Sequence, residues 1–199
     1  MLHPFLHNTG AEAGVDEAGR GCYAGPVYAA AVILPLHFFH RLLNDSKQLN
    51  EKTRDILRPI IEKESISFAV GVVSNEEIDR INILQASFKA MHLAIDALNS
   101  TPDFLLIDGN RFKRHASIPH QCVVKGDAMY ASIAAASILA KTYRDDFMKK
   151  AHANFPQYGW DQNKGYGTAQ HRRAIEEHGL CDLHRRSFKI LPAQVKLFV

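Results

Sequence analysis

Short apolar runs rich in β-branched residues alternate along the chain with longer segments of helical period. The runs fall at 28–34, 67–73, 104–107 and 122–124, and a first one enters at 13–17. Each is bounded by Gly, Pro, Asp or Asn, the pattern of strands ended by turns. Helical spacing predicts helices over 51–63 and 75–99, and a long one from about 128 to 154. In that last segment Met129, Ile133, Ala136, Ala140, Tyr143 and Phe147 recur on one face. After a first antiparallel hairpin, GVDEAGRG followed by a strand over 26–34, strands and helices alternate. That order predicts an α/β fold with a mixed central sheet flanked by helices, continued by crossover strands.

From Phe155 onward Gly, Gln, Asn, His and Arg become frequent, in PQYGWDQNKGYGTAQH and then HRRSF, and one short helix over 169–178 stands out. The expected organisation is a core over 1–154 and a C-terminal helical and loop extension over 155–199 packed beside the site, with 192–199 as a flexible tail. There is no internal repeat and no low-complexity segment.

Composition narrows the class only modestly. The 199 residues are 46% hydrophobic and carry a formal charge of +3, which leaves room for an anionic partner without requiring one. Three cysteines, Cys22, Cys122 and Cys181, form no CxxC pair and cannot all pair, which suits a reducing, cytoplasmic setting. The start, MLHPFLHNTG, lacks the pattern of a secretory leader, and no apolar run approaches the roughly 20 residues that span a bilayer. No membrane association is expected.

Candidate chemistry gathers on four carboxylates. Asp16 and Glu17 stand together in GVDEAGRG, Asp108 closes the run FLLID, and Asp127 follows Lys-Gly at the head of the long predicted helix. All four sit at element ends, where α/β sheets collect functional groups, so they can converge although more than half the chain separates Asp16 from Asp127. Clustered acids repel and are costly to desolvate unless cations compensate them. Mg²⁺ and Mn²⁺ suit such hard oxygen ligands, and two ions can activate water and stabilise a leaving oxygen in phosphodiester hydrolysis. Singly, each acid has an ordinary reading. Asp127 alone is a helix N-cap, and Asp108-Gly109 alone is a turn. Alternation along a strand should also send Asp16 and Glu17 to opposite faces, so either the strand bends there or only one of them faces a metal directly.

Seven segments in order, GVDEAGRG (14–21), DSK (45–47), LLIDG (105–109), KGD (125–127), SIAAASILAK..RD (132–145), NKGYGT..H (163–171) and HRRSF (184–188), resemble bacterial ribonuclease HII. The resemblance runs from about Glu12 to Phe188. It implies a ribonuclease H-like fold and an endoribonuclease acting on RNA–DNA hybrids and on single ribonucleotides embedded in duplex DNA. It also implies Mg²⁺ or Mn²⁺ held by Asp16, Glu17, Asp108 and Asp127, and a cut on the 5′ side of the ribonucleotide leaving 3′-OH and 5′-phosphate. Gly19, Arg20 and Gly21 match the segment whose backbone meets the ribose 2′-OH, and Tyr166 matches the tyrosine that senses the following deoxyribose. Lys47 and Lys125 would meet phosphates; Gln48 stands where many relatives carry a further lysine.

Two alternatives share the resemblance: a metal nuclease of the same fold with a different junction preference, and a binding module without chemistry. The tail Gln194-Val195-Lys196-Leu197-Phe198 looks like the short peptide that replication proteins insert into the sliding clamp, with Gln194, Leu197 and Phe198 as anchors; the plainer reading is an apolar tail. The glycines at 19, 21 and 25 precede a β-rich segment, so they do not open a dinucleotide-binding helix. His178, Cys181 and His184 lack a fourth ligand for a zinc site. Asp145 and Asp146 beside Arg144 suggest a structural ion pair.

Overall fold

The computed structural model describes residues 2–7, 10–43, 49–115 and 117–190. Strand β1 (Glu12–Ala18) forms a hairpin with β2 (Val27–Ile33), pairing antiparallel from Ala13↔Ile33 to Ala18↔Tyr28. Helix α1 (Glu51–Glu64) leads to β3 (Ser67–Val73), which is antiparallel to β2. Strands β4 (Phe104–Asp108) and β5 (His120–Val123) then add in parallel on the other side of β1. Among the described residues the strands form one five-stranded sheet in the order β3-β2-β1-β4-β5. The mixed sheet agrees with the sequence reading, except that β3 joins antiparallel and is not a crossover strand.

The sheet is buried on both faces because alternate side chains enter two cores. Ala29, Ala31 and Ile33 of β2 pack with Ala86, Ala90 and Ala94; Ala30 and Val32 face Leu57, Ile61 and the alanines of the long helix. The segment 75–99, expected as one helix, is two: α2 (Asn75–Ile81) and α3 (Ile83–Asp96). Asn82 between them has a φ of 66° and its side chain accepts from the N–H groups of Leu84 and Gln85, so a polar residue that tolerates the left-handed region ends one helix and caps the next.

The long helix, α4 (Ala131–Asn154), starts later than expected. Asp127 is not its N-cap: it lies in a separate 3₁₀ turn, Gly126–Ala128, entered through Lys125 at φ 58°. The start of α4 is served instead by the N-terminal arm, where the Ala131 N–H donates to the His3 carbonyl at 2.8 Å. Residues 131–140 are all buried, so this half of α4 has no solvent face, and Met129, read as part of its apolar stripe, is exposed outside it. Gly14 is the contact point with β1: a Cβ there would come within 2.1 Å of the Ser132 backbone carbon.

Beyond α4 come a 3₁₀ turn (Pro156–Tyr158), the short α5 (Trp160–Asn163), which the sequence did not suggest, and α6 (Ala169–His178) at the expected bounds. Tyr158 and Trp160 stack at 5.1 Å over Met148 and Ala24. Trp160 Nε1 donates to His171 Nε2 at 3.1 Å, and His171 and His184 meet at 3.2 Å. Burial, with His171 beside it, holds the His184 imidazole down to about 4. His178 is exposed and Cys181 donates its backbone N–H to His184 at 3.0 Å, so the spaced His178, Cys181 and His184 are a packing feature. No helix among the described residues is long and apolar enough to cross a membrane.

Candidate active site

The parallel register of β1 with β4 pairs Val15 with Ile107, so the next residues, Asp16 and Asp108, leave the sheet side by side. The β5 strand, paired to Asp108 at Val123, runs directly into the turn that carries Asp127. The Gly126 N–H donates to Asp108 Oδ1 at 2.7 Å and ties that turn to β4. As a result one carboxylate oxygen from each of Asp16, Asp108 and Asp127 lies within 4.8 Å of the others.

Glu17 stands outside that triad, as strand alternation requires. Asp16 points to the α4 side, where the Ser137 side chain hydrogen-bonds it, and Glu17 points to the α3 side. The strand does not bend to bring the two acids onto one face. Glu17 Oε1 accepts from Arg20 Nη1 at 3.1 Å, while its Oε2 is buried with no hydrogen-bond partner among the described residues. Burial pushes the Asp16 carboxyl well above its usual range, and the charges of Glu17 and Asp108 add to this; burial also raises Glu17, against the pull of Arg20. A fold that leaves acids buried, crowded and one oxygen unpaired suits cations at this spot, and an all-oxygen donor set suits Mg²⁺ or Mn²⁺.

The turn after β1 forms the wall of the same cleft, a hollow of about 480 Å³ bordered by Asp16, Gly19, Gly21, Lys141 and Tyr166. Gly19 has a φ of 97°, and a Cβ there would strike the Arg144 side chain at 2.1 Å, so glycine is required for both reasons. Arg20 and Gly21 are exposed, and a Cβ at Gly21 would meet nothing within 4 Å, so this backbone borders open space. Tyr166 stands across from it with 40% of its surface exposed.

Two arginines that the sequence reading did not assign hold this wall. Arg144, fully buried, donates to the carbonyls of Pro26, Lys164 and Ala24 at 2.8–3.0 Å, and so links the turn to the segment carrying Tyr166. Arg185, also fully buried, donates to the carbonyls of Gly19 at 2.7 Å, Arg20 at 2.9 Å and Gly25 at 3.0 Å. Asp145 and Asp146 do form ion pairs, but not with Arg144: Asp145 meets Lys141 and Arg54, and Asp146 meets Arg58 at 2.6 Å. Lys141 and Arg54 both border the cleft. The signal for Arg144, Lys141 and Arg185 lies in the SIAAASILAK..RD and HRRSF segments, where Arg144 is read only as an ion-pair partner of Asp145 and Asp146 and the other two carry no role; Arg54 lies outside both segments. Lys125 is exposed beside Asp127. Lys47 and the tail residues Gln194, Leu197 and Phe198 lie outside the described residues.

Comparison with known proteins bears on this geometry. The family model described as Ribonuclease HII matches residues 13–191. A ribonuclease HII of Bacteroides fragilis is 61% identical over 199 residues, covering 100% of this chain and 99% of the relative. The crystal structure of ribonuclease H2 from Pyrococcus horikoshii OT3 superposes with a TM-score of 0.76 at 26% identity, over 90% of this chain and 94% of that one. The ribonuclease HII in the PCNA:RNase HII complex from Archaeoglobus fulgidus superposes at 0.75 and 24% identity, over 92% and 96%.

Proposed function

From the chain's membership of the ribonuclease HII family, we propose that its acidic cleft cuts the RNA strand at ribonucleotide-to-DNA junctions with divalent cations. The protein is an endoribonuclease that hydrolyses RNA in RNA–DNA hybrids. The proposal concerns where it cuts and with which residues. The observation that carries it is the meeting of Asp16, Asp108 and Asp127, from separate elements, within 4.8 Å, with Glu17 beside them. A binding module has no reason to hold such a set near phosphates.

Asp16, Glu17, Asp108 and Asp127 are the residues that would hold Mg²⁺ or Mn²⁺. Divalent ions held by these carboxylates would offset their charge and would supply the activation of water and the stabilisation of the departing 3′ oxygen that phosphodiester hydrolysis needs. Gly19, Arg20 and Gly21 offer backbone N–H and C=O groups to the 2′-OH, the one group that separates RNA from DNA at a given sugar. Tyr166 presents its ring face to the next deoxyribose. Together these select the phosphate on the 5′ side of the ribonucleotide and leave 3′-OH and 5′-phosphate ends. Lys125 and Lys47 serve as point charges to backbone phosphates. The segment from 155 onward acts as an appendage that supports Tyr166, and Gln194, Leu197 and Phe198 dock in a sliding clamp. The setting is cytoplasmic.

A duplex holding one ribonucleotide tests the reading. The parent should nick it 5′ of the ribonucleotide with Mg²⁺ or Mn²⁺ and stop when a chelator is added. Asp108→Asn should lose on the order of a thousandfold in rate, about 4 kcal/mol of transition-state stabilisation. Undiminished cleavage by that variant would overturn the assignment, and cleavage only of longer ribonucleotide runs would favour a different junction preference.

A further inference from the structure

The cleft does not end at the acids. Past Glu17, Arg20 and Asp108, which border both spaces, it opens into a second hollow of about 310 Å³ that Tyr166 does not reach. Its floor is α3, through Ser87, Phe88 and Met91, and its rim is the start of the β4–β5 connection at Asn110 and Arg111. Ser87 is 2% exposed and its Oγ has no hydrogen-bond partner among the described residues, an uncommon condition for a hydroxyl in a folded interior.

The connection above this hollow reads Asn110-Arg-Phe-Lys-Arg-His115. Phe112 packs edge-on against His92 at 5.2 Å and His120 at 5.1 Å, the Lys113 carbonyl meets His92 Nε2 at 2.8 Å, and His115 Nε2 meets Asp96 Oδ1 at 2.8 Å. These contacts pin the loop to α3 and leave Arg111, Lys113 and Arg114 exposed. None of the three ion-pairs with a carboxylate among the described residues. Exposed cations with no ion-pair partner among the described residues, on a pinned loop that begins at Asp108, form an anion surface whose backbone needs little further ordering when a ligand arrives.

We propose that this second hollow and its basic loop bind the sugar-phosphate backbone of the cleaved strand on the 5′ side of the cut. This rests on the reading given above, in which the acids hold the scissile phosphate and Tyr166 the sugar on its 3′ side. A strand that runs 5′ to 3′ from the acids to Tyr166 must reach the acids from the opposite direction, which is the second hollow. Arg111 meets the first upstream phosphate, Lys113 and Arg114 the ones beyond. The Ser87 hydroxyl donates to a sugar or phosphate oxygen, and the apolar faces of Phe88 and Met91 lie against the sugar.

Three duplexes with one ribonucleotide each decide the matter: full length, shortened to a single nucleotide upstream of the cut, and shortened downstream. The variant Arg111→Gln/Lys113→Gln/Arg114→Gln should lose about tenfold in kcat/KM on the full and downstream-shortened duplexes, and less than about twofold on the upstream-shortened one. Its slope of log kcat/KM against log salt should be shallower by about two to three, near 0.9 for each phosphate contact removed. Ser87→Ala, which deletes an unpaired buried hydroxyl and leaves the fold intact, should show a smaller loss of the same upstream-dependent kind. Equal losses on all three duplexes, or none, would overturn the proposal. Failure of the parent to cut the full duplex would sink the junction reading instead.

Discussion

Asp16 shows how one residue can serve the site at the expense of the fold. Its carboxyl is buried beside Glu17 and Asp108, so the folded state favours the protonated form. For an acid whose folded value is raised, the penalty is absent at low pH, where both states are protonated. It grows as pH rises from the unfolded value through the folded one and is full only above the folded value. Asp16→Asn imitates the neutral form and keeps an oxygen to accept the Glu17 N–H, now 2.7 Å from Oδ1. Without divalent ions this variant should therefore be more stable than the parent at pH 7 by on the order of 1 kcal/mol, or about 2–4 °C in melting temperature. Millimolar Mg²⁺ or Mn²⁺ should raise the parent's melting temperature and leave the variant's nearly unchanged, while cleavage is lost. A variant that melts below the parent in chelator, or gains as much from the metal, would contradict this account.

At the scale of elements, the acids depend on how closely α4 lies on β1. Gly14, Asp16 and Ala18 share the strand face toward that helix, and Gly14 lets the Ser132 backbone approach where a Cβ would stand 2.1 Å from it. Backbone cannot rotate away as a side chain can, so Gly14→Ala must push helix and strand apart. The expected cost is about 2–3 kcal/mol, a drop of about 5–10 °C, with cleavage impaired because Asp16 and Ser137 separate. Wild-type melting and activity would show that the helix is not seated as described. The element bounds were legible where local signals were strong: β3 and α6 fall where the pattern put them. The break at Asn82 was hidden because apolar spacing continues across it, and only the backbone φ reveals the change of direction.

Across the whole molecule a formal charge of +3 says little, because what matters is where the cations stand. Arg144 and Arg185 are buried on carbonyls and hold the turn after β1, whereas Arg111, Lys113 and Arg114 are exposed and ion-pair with no carboxylate among the described residues. The proposed clamp peptide lies beyond the described residues and rests on its own sequence, so its role should be separable from catalysis. Deleting 194–199 should leave the melting temperature and the nicking of a short one-ribonucleotide duplex within error of the parent, and reduce sliding-clamp affinity at least tenfold, about 1.4 kcal/mol. Unchanged clamp affinity would remove the tail from the interface.

The amino-acid order by itself determined the alternation of strands and helices, because side-chain period is a local property of each segment. It also marked the acids and the family, because their motifs are contiguous. It could not decide that Glu17 would stand apart from the triad, that Asp127 would leave its helix for a tighter turn, or that His3 would serve the head of α4. It could not show that Arg144 and Arg185 would each gather carbonyls more than a hundred residues away. Those outcomes follow from strand register, helix seating and the pairing of buried polar groups, which depend on which distant segments touch, and only the tertiary structure sets those contacts.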